Sequence, residues 1–125
     1  MANGVIKKDL GYNYLLPKYF AFPHNFSSLN EEEIGTITIN DINEPGCYLF
    51  YCFYPWSTGT PTELKLTINN IEMASSASLI NDAIECDCMF FNNSGNTATM
   101  KIYGKNNNIS GKTTIKVFMY KLPTY

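Results

Sequence analysis

The sequence predicts an all-β protein: a single antiparallel β-sandwich, jelly-roll-like, with an extended N-terminal arm. Three observations predict it. Short runs between residues 35 and 122 alternate apolar and polar side chains, and a period of two belongs to strands with one buried face. Clusters of Asn, Gly, Pro and Ser break these runs at the roughly 8–12-residue spacing of sandwiches and barrels. The 125 residues are 45% hydrophobic, which supports one core and leaves little room for a second domain. No heptad or long amphipathic helical pattern competes. Residues 1–33 are assigned to the arm and residues 34–125 to the sandwich.

The first 30 residues show no period. Val5 and Ile6, then residues 12–16, read as short extended pieces, while Pro17 and Pro23 break any regular pattern. Disordered tails are poor in aromatic residues, and this segment is rich in them. It is expected to order by packing, either on its own domain or as a docking peptide for a larger assembly. Residues 25–34 carry a helix-start pattern, with Ser27 or Ser28 as N-cap and acidic residues in the first turn. The run Glu31 to Glu33 otherwise reads as a solvated face.

Residues 35–40 point Ile37 and Ile39 inward, and residues 41–45 are turn chemistry. Residues 62–69 point Leu64, Leu66 and Ile68 inward and Glu63, Lys65 and Thr67 outward. Asn69 and Asn70 read as a tight turn before a short strand at 71–73. Residues 74–81 form a connection or an edge strand. Residues 83–91 place Ile84, Cys86, Cys88 and Phe90 on one face, with Met89 and Phe91 following Glu85 and Asp87 on the other. Residues 92–96 form a turn. Residues 97–103 point Ala98, Met100 and Ile102 inward, and residues 113–122 close the sandwich before Pro123.

The strand from Gly46 to Tyr54 stands apart. Cys47, Leu49, Tyr51 and Phe53 share one face; Tyr48, Phe50, Cys52 and Tyr54 share the other. Both faces are apolar, whereas a strand of an antiparallel sandwich needs only one. The second face therefore calls for a cover, which a second copy would supply. Tyr48, Phe50 and Tyr54, with Met89 and Phe91, are the residues expected at an oligomer interface. Alternation alone does not say which of the two faces is core.

Composition narrows the function. Charged residues make up only 16%, against about 25% in ordinary soluble proteins, and the formal charge is −2. No basic stripe marks a nucleic-acid partner, and no apolar run reaches the roughly 18 residues of a membrane span. The N-terminus lacks the apolar core of a signal peptide. The four cysteines, at 47, 52, 86 and 88, lack zinc-site spacing and read as buried free thiols. Three Asn-x-Ser sequons, at Asn25, Asn92 and Asn108, are what an Asn-rich chain produces by chance.

No catalytic set emerges. The single histidine, His24, sits in an irregular segment with no nucleophile in sequence reach, and the carboxylates lie on outward faces or in turns. No phosphate loop, metal motif or cofactor fingerprint is present. The expectation is a non-enzyme without cofactor. Binding chemistry is concentrated at Trp56, in a loop beside Tyr54. An exposed indole suits stacking on a sugar ring, and Asn106 and Asn107 offer amide groups to hydroxyls. The same residues serve equally as an end-cap of the core and as turn formers.

Four strings carry a family resemblance: Gly46-Cys47-Tyr48-Leu49, Leu66-Thr67-Ile68-Asn69, Met100-Lys101-Ile102-Tyr103-Gly104 and Ile115-Lys116-Val117-Phe118-Met119-Tyr120. Across residues 34–122 the chain resembles the small β-sandwich heads that end bacteriophage fibres. The resemblance implies a virion protein, assembled in the bacterial host cytoplasm. It implies a homotrimer with receptor contacts at loops and attachment to other virion proteins through residues 1–30; with Trp56 in such a loop, a host surface glycan is the receptor considered. The alternative is a monomeric carbohydrate-binding module.

Overall fold

The computed structural model describes residues 17–39, 46–92 and 97–122. The extended pieces expected before Pro17, the turn expected at 41–45, all but Asn92 of the turn expected at 92–96, and the stop at Pro123 lie outside the described residues; Asn92 itself is the last residue of a strand. Eight strands follow in chain order: β1 (Lys18–Asn25), β2 (Glu32–Ile39), β3 (Gly46–Pro55), β4 (Pro61–Ile68), β5 (Ile71–Ser76), β6 (Ala83–Asn92), β7 (Ala98–Asn106) and β8 (Lys112–Leu122). They form two four-stranded antiparallel sheets. The front sheet is ordered β1-β8-β3-β6 and the back sheet β2-β7-β4-β5. Every connection except β4–β5 carries the chain from one sheet to the other, as in a jelly roll.

Local chemistry explains the exception. Asn69 and Asn70 both adopt positive φ, 51° and 66°, the conformation a two-residue hairpin turn requires. Asn81 and Asp82, with φ of 53° and 63°, make the second tight reversal. There Ile80 and Ala83 exchange backbone hydrogen bonds of 2.8 and 3.1 Å.

The core fills the space between the sheets. The back sheet contributes Ile37, Ile39, Leu64, Leu66, Ile68, Met100 and Ile102; the front sheet contributes Tyr48, Phe50, Cys52, Tyr54, Ile84, Cys86, Ile115 and Val117. Burying a large apolar side chain is worth about 1.5–3 kcal/mol, so this layer supplies the main drive to fold. The inward sets expected for residues 35–40, 62–69 and 97–103 are buried as expected, but Thr67, expected outward, is buried too, beside the register shift between Leu66 and Thr67.

Two expectations near the N-terminus need correction. Of the two alternatives for the N-terminal segment, residues 18–25 follow packing on their own domain, and they do so as a strand of the sandwich rather than as an arm. They pair with β8 from Lys18↔Met119 to Asn25↔Lys112, and Phe20 and Phe22 pack against the core. β1 is an edge strand, where the missing N–H of Pro23 is tolerated; the prolines masked the strand pattern. The helical turn expected at 25–34 is also absent, since residues 26–31 are irregular and β2 already begins at Glu32. The serines that would cap a helix donate elsewhere. The Glu32 carboxylate accepts from the Ser27 amide at 3.1 Å, the Ser27 hydroxyl at 3.2 Å and the Ser28 hydroxyl at 2.9 Å.

Candidate functional site

The outer faces of the two sheets differ. On the back sheet, charged side chains neutralise one another within the chain: Lys65 with Glu31 at 3.0 Å, Lys101 with Glu33 at 3.4 Å and Lys105 with Glu63 at 4.0 Å. Lys65 also lies over the Tyr103 ring, 4.8 Å from its centroid. This face is built for water. The run Glu31–Glu33, expected to be merely solvated, is instead engaged at every position.

The front sheet turns a mostly apolar surface outward, and strand register arranges it in rows. One row reads Ala21, Lys116, Phe53, Glu85; the next reads Tyr19, Phe118, Tyr51, Asp87. Tyr120, Leu49 and Met89 follow, then Leu122, Cys47 and Phe91. Neighbouring rings form a ladder across three strands: Tyr19–Phe118 centroids are 5.2 Å apart and Tyr51–Phe118 6.1 Å. The Tyr51 hydroxyl donates to Glu85 at 2.6 Å. Partial burial and that carboxylate push the Tyr51 pKa up to about 12. Tyr19, Met89 and Phe91 are each more than half exposed. Cross-strand contacts of this kind stiffen a sheet, yet nothing in the described chain covers the rings.

The expected interface set divides. Met89 and Phe91 do lie on this outer surface, but Tyr48, Phe50 and Tyr54 are core residues, 3%, 0% and 0% exposed. The outward set of β3 is Cys47, Leu49, Tyr51 and Phe53. Both sets are apolar, so hydrophobicity does not choose between them. Register does: Tyr51 and Phe53 stand beside Asp87 and Glu85, carboxylates that belong in water, so their face is the outer one. Tyr19, Phe118 and Tyr120 were missed as members of this surface. The alternation of β8, apolar on both sides from residue 117 onward, was the signal that pointed to two of them.

The expected ligand set divides too. Trp56 is 58% exposed, in the β3–β4 loop at one end of the sandwich. Tyr54 and Asn106, 0% and 2% exposed, are closed to ligand. Asn106 donates its side-chain amide to the Tyr54 hydroxyl at 3.0 Å, and that hydroxyl donates to the Lys105 carbonyl at 2.9 Å. The Asn106 side-chain carbonyl accepts from the Asn108 backbone amide at 3.0 Å. Asn107 is exposed, and its side-chain carbonyl accepts from the Thr60 amide at 2.8 Å. Thr58 and Lys112 exchange backbone hydrogen bonds of 3.1 and 2.9 Å. The loop after Trp56 is therefore tied to the β7–β8 loop on both sides of Gly59, and Trp56 projects from a braced turn.

The remaining chemistry is structural. His24 donates to Glu32 at 2.9 Å. Burial alone would raise the Glu32 pKa, but the hydrogen bonds from His24, Ser28 and Ser27 outweigh it and hold the carboxyl at about 2. The four thiols are free, and Cys52 lies directly opposite Cys86 on the core side. Burial pushes the Cys52 thiol up, and burial with the nearby Asp87 pushes Cys86 and Cys88 up to about 11. Among the described residues no cluster of His, Cys, Asp and Glu could hold a metal ion. An open polar pocket of about 420 Å³ is lined by Asn69, Asn70, Thr99 and Lys101 at the opposite end from Trp56.

No family model matches the chain, and no curated protein matches its sequence. Solved structures share its fold at low identity. A chain of the Triatoma virus structure is 9% identical with a TM-score of 0.57, over 86% of this chain and 64% of that one. The C-terminal domain of EclA, a sugar-binding protein, is 12% identical with a TM-score of 0.55, over 82% and 77%. The insecticidal δ-endotoxin Cry8Ea1 from Bacillus thuringiensis is 19% identical with a TM-score of 0.54, over 81% of this chain but only 20% of the toxin. The chain thus spans one fifth of the toxin and less than two thirds of the viral chain. These likenesses define a class of fold, the two-sheet jelly roll found in viral particles and in sugar-binding domains.

Proposed function

We propose that the protein is a non-catalytic structural module of a bacteriophage virion, in a fibre head or a capsid or tail decoration, that assembles as a homotrimer. It works on the particle, after assembly in the bacterial host cytoplasm, and carries no cofactor. One observation supports this reading above the others: among the described residues nothing covers the aromatic outer surface of the front sheet, while that of the back sheet is salt-bridged and water-facing. A monomer that left such a surface in water would expose a larger apolar patch than soluble monomers usually tolerate. Burying about 800 Å² per subunit is typical of a stable contact between proteins. The resemblance to fibre heads and the likeness to a Triatoma virus chain agree with this reading. Attachment to other virion proteins through the N-terminal segment, residues 1–30, belongs to the same proposal. Mass in solution tests it: a trimer is expected at micromolar concentration, and a monomer there would overturn it.

A second reading has its own observation. Trp56 projects from a braced loop with Asn107 exposed at the same end, as a sugar platform would. The virion module would use this end to touch a host surface glycan. A monomeric carbohydrate-binding module would use it with no partner copy, as the sugar-binding protein EclA shows this fold can carry such a role. Trp56→Ala separates them: loss of glycan binding by a monomer favours the module, and a trimer indifferent to the change favours a purely structural role.

A further inference from the structure

The front sheet's outer surface is electrically lopsided. Glu85 and Asp87 stand exposed at its β6 margin; Lys116 stands exposed on β8, in the same row as Glu85 and separated from it by Phe53. Among the described residues, Lys116 and Asp87 make no ion pair. Lys65, Lys101 and Lys105 on the back sheet each lie within 4.0 Å of a carboxylate of their own chain. The chain thus neutralises its lysines where the sheet meets water and leaves opposite charges unmatched where it is apolar.

The outward residues of the β6 margin and of β8, the strand inside the β1 margin, also read in the same order. Along β6 the outward residues are Glu85, Asp87, Met89 and Phe91. Along β8, row for row, they are Lys116, Phe118, Tyr120 and Leu122. A neighbour whose strands run in the same sense sets Glu85 on Lys116, Asp87 over Phe118 beside it, and Met89 and Phe91 on Tyr120 and Leu122, in a single placement. A margin meeting its own copy would oppose Glu85 and Asp87 to like charges, which disfavours association.

We infer that the front surface docks on a second copy of this chain head to tail, with the β6 margin of one copy seated on the β8–β1 strip of the next. This rests on the self-association proposed above and specifies its contact. Made reciprocally, this pairing closes a two-fold pair; made in one direction around an axis it is heterologous and closes into a ring when the rotation allows, as a trimer needs.

Charge reversal tests it by sedimentation equilibrium. Glu85→Lys and Lys116→Glu are each expected to weaken association at least tenfold, and a chain carrying both substitutions is expected to regain most of it. Glu85→Gln, which keeps an acceptor for the Tyr51 hydroxyl, is expected to weaken association less than twofold to threefold. Thermal melts of these exposed-site variants verify that the fold is retained. Mixing the two single variants restores every contact of a pair but leaves one mismatch in a ring of three, so the ring predicts incomplete recovery in the mixture. Reversals without effect on a protein that still self-associates would overturn the inference and leave self-association standing. A monomeric parent protein would overturn both.

Discussion

Asn106 and Tyr54 hold each other inside the end of the sandwich: the amide donates to the phenol at 3.0 Å, and both residues are sealed from solvent. The pair joins the last residue of β7 to the core side of β3 and fixes the loop that carries Asn108. Removing a partner from a buried polar pair costs about 1–3 kcal/mol. Asn106→Ala is therefore expected to lower unfolding free energy by that amount, measured in urea, without changing the oligomer. Tyr54→Phe, which strands the amide but keeps the ring, should cost less. An unchanged urea midpoint for Asn106→Ala would contradict the assignment.

Glu32 makes a pH prediction. Its carboxyl titrates at about 2 in the folded chain against 4.5 when unperturbed. The folded value is the lower one, so the unfolded chain binds the proton more readily in this window. The stability contributed by the ionised carboxylate is complete above pH 4.5 and is lost as pH falls toward 2. Urea titrations at pH 5 and pH 2.5 should show a larger loss for the parent than for Glu32→Gln. Parallel losses in the two proteins would show that this carboxylate is not the source.

Gly35 leaves no room for a side chain, because a Cβ there would run into the ring of Phe22. The contact is between β2 and the inward side of β1, at the margin of the core. Overpacking a well-filled core typically costs about 1–3 kcal/mol, and Gly35→Ala is expected in that range. A companion Phe22→Leu change should recover part of the loss, measured by thermal unfolding. Full stability of Gly35→Ala alone would mean that β1 is not held where it is described.

The thiols report on both core and surface. Cys52 and Cys86 are buried, and the pKa values of Cys52, Cys86 and Cys88 are pushed up, so the reactive thiolate is scarce at neutral pH. Cys47 lies on the front outer surface in the row of Phe91. With a thiol reagent at neutral pH, Cys47 should react first, and faster as dilution separates the copies. All four thiols should react in denaturant. Rapid modification of Cys52 in the folded protein, or a Cys47 rate independent of protein concentration, would count against this picture.

Much of the fold was legible because the residues of β2, β4 and β7 alternate with one apolar face each. β3 was legible as a two-faced strand, but its apolar sets are equivalent by hydrophobicity. The choice depends on Glu85 and Asp87, which neighbour the outward set only after β6 pairs with β3. β1 was hidden because Pro17 and Pro23 read as breakers, and an edge position excuses them only once the sheet order is known. Asn106 looked like a loop amide free for a ligand. Its burial depends on Tyr54, 52 positions earlier in the chain, a contact that local pattern does not encode. Trp56 read equally as an end-cap of the core, and only the assembled fold shows it 58% exposed.

The most direct measurement is the mass of the protein in solution at micromolar concentration, by sedimentation equilibrium or light scattering, for the parent and for Tyr51→Ser with Phe118→Ser. The parent is expected at three times the 14.1 kDa chain mass. The doubly substituted chain, with polar groups in place of the central rings, is expected as a folded monomer. A parent that is monomeric at this concentration would contradict the reading of the aromatic surface as a contact between copies.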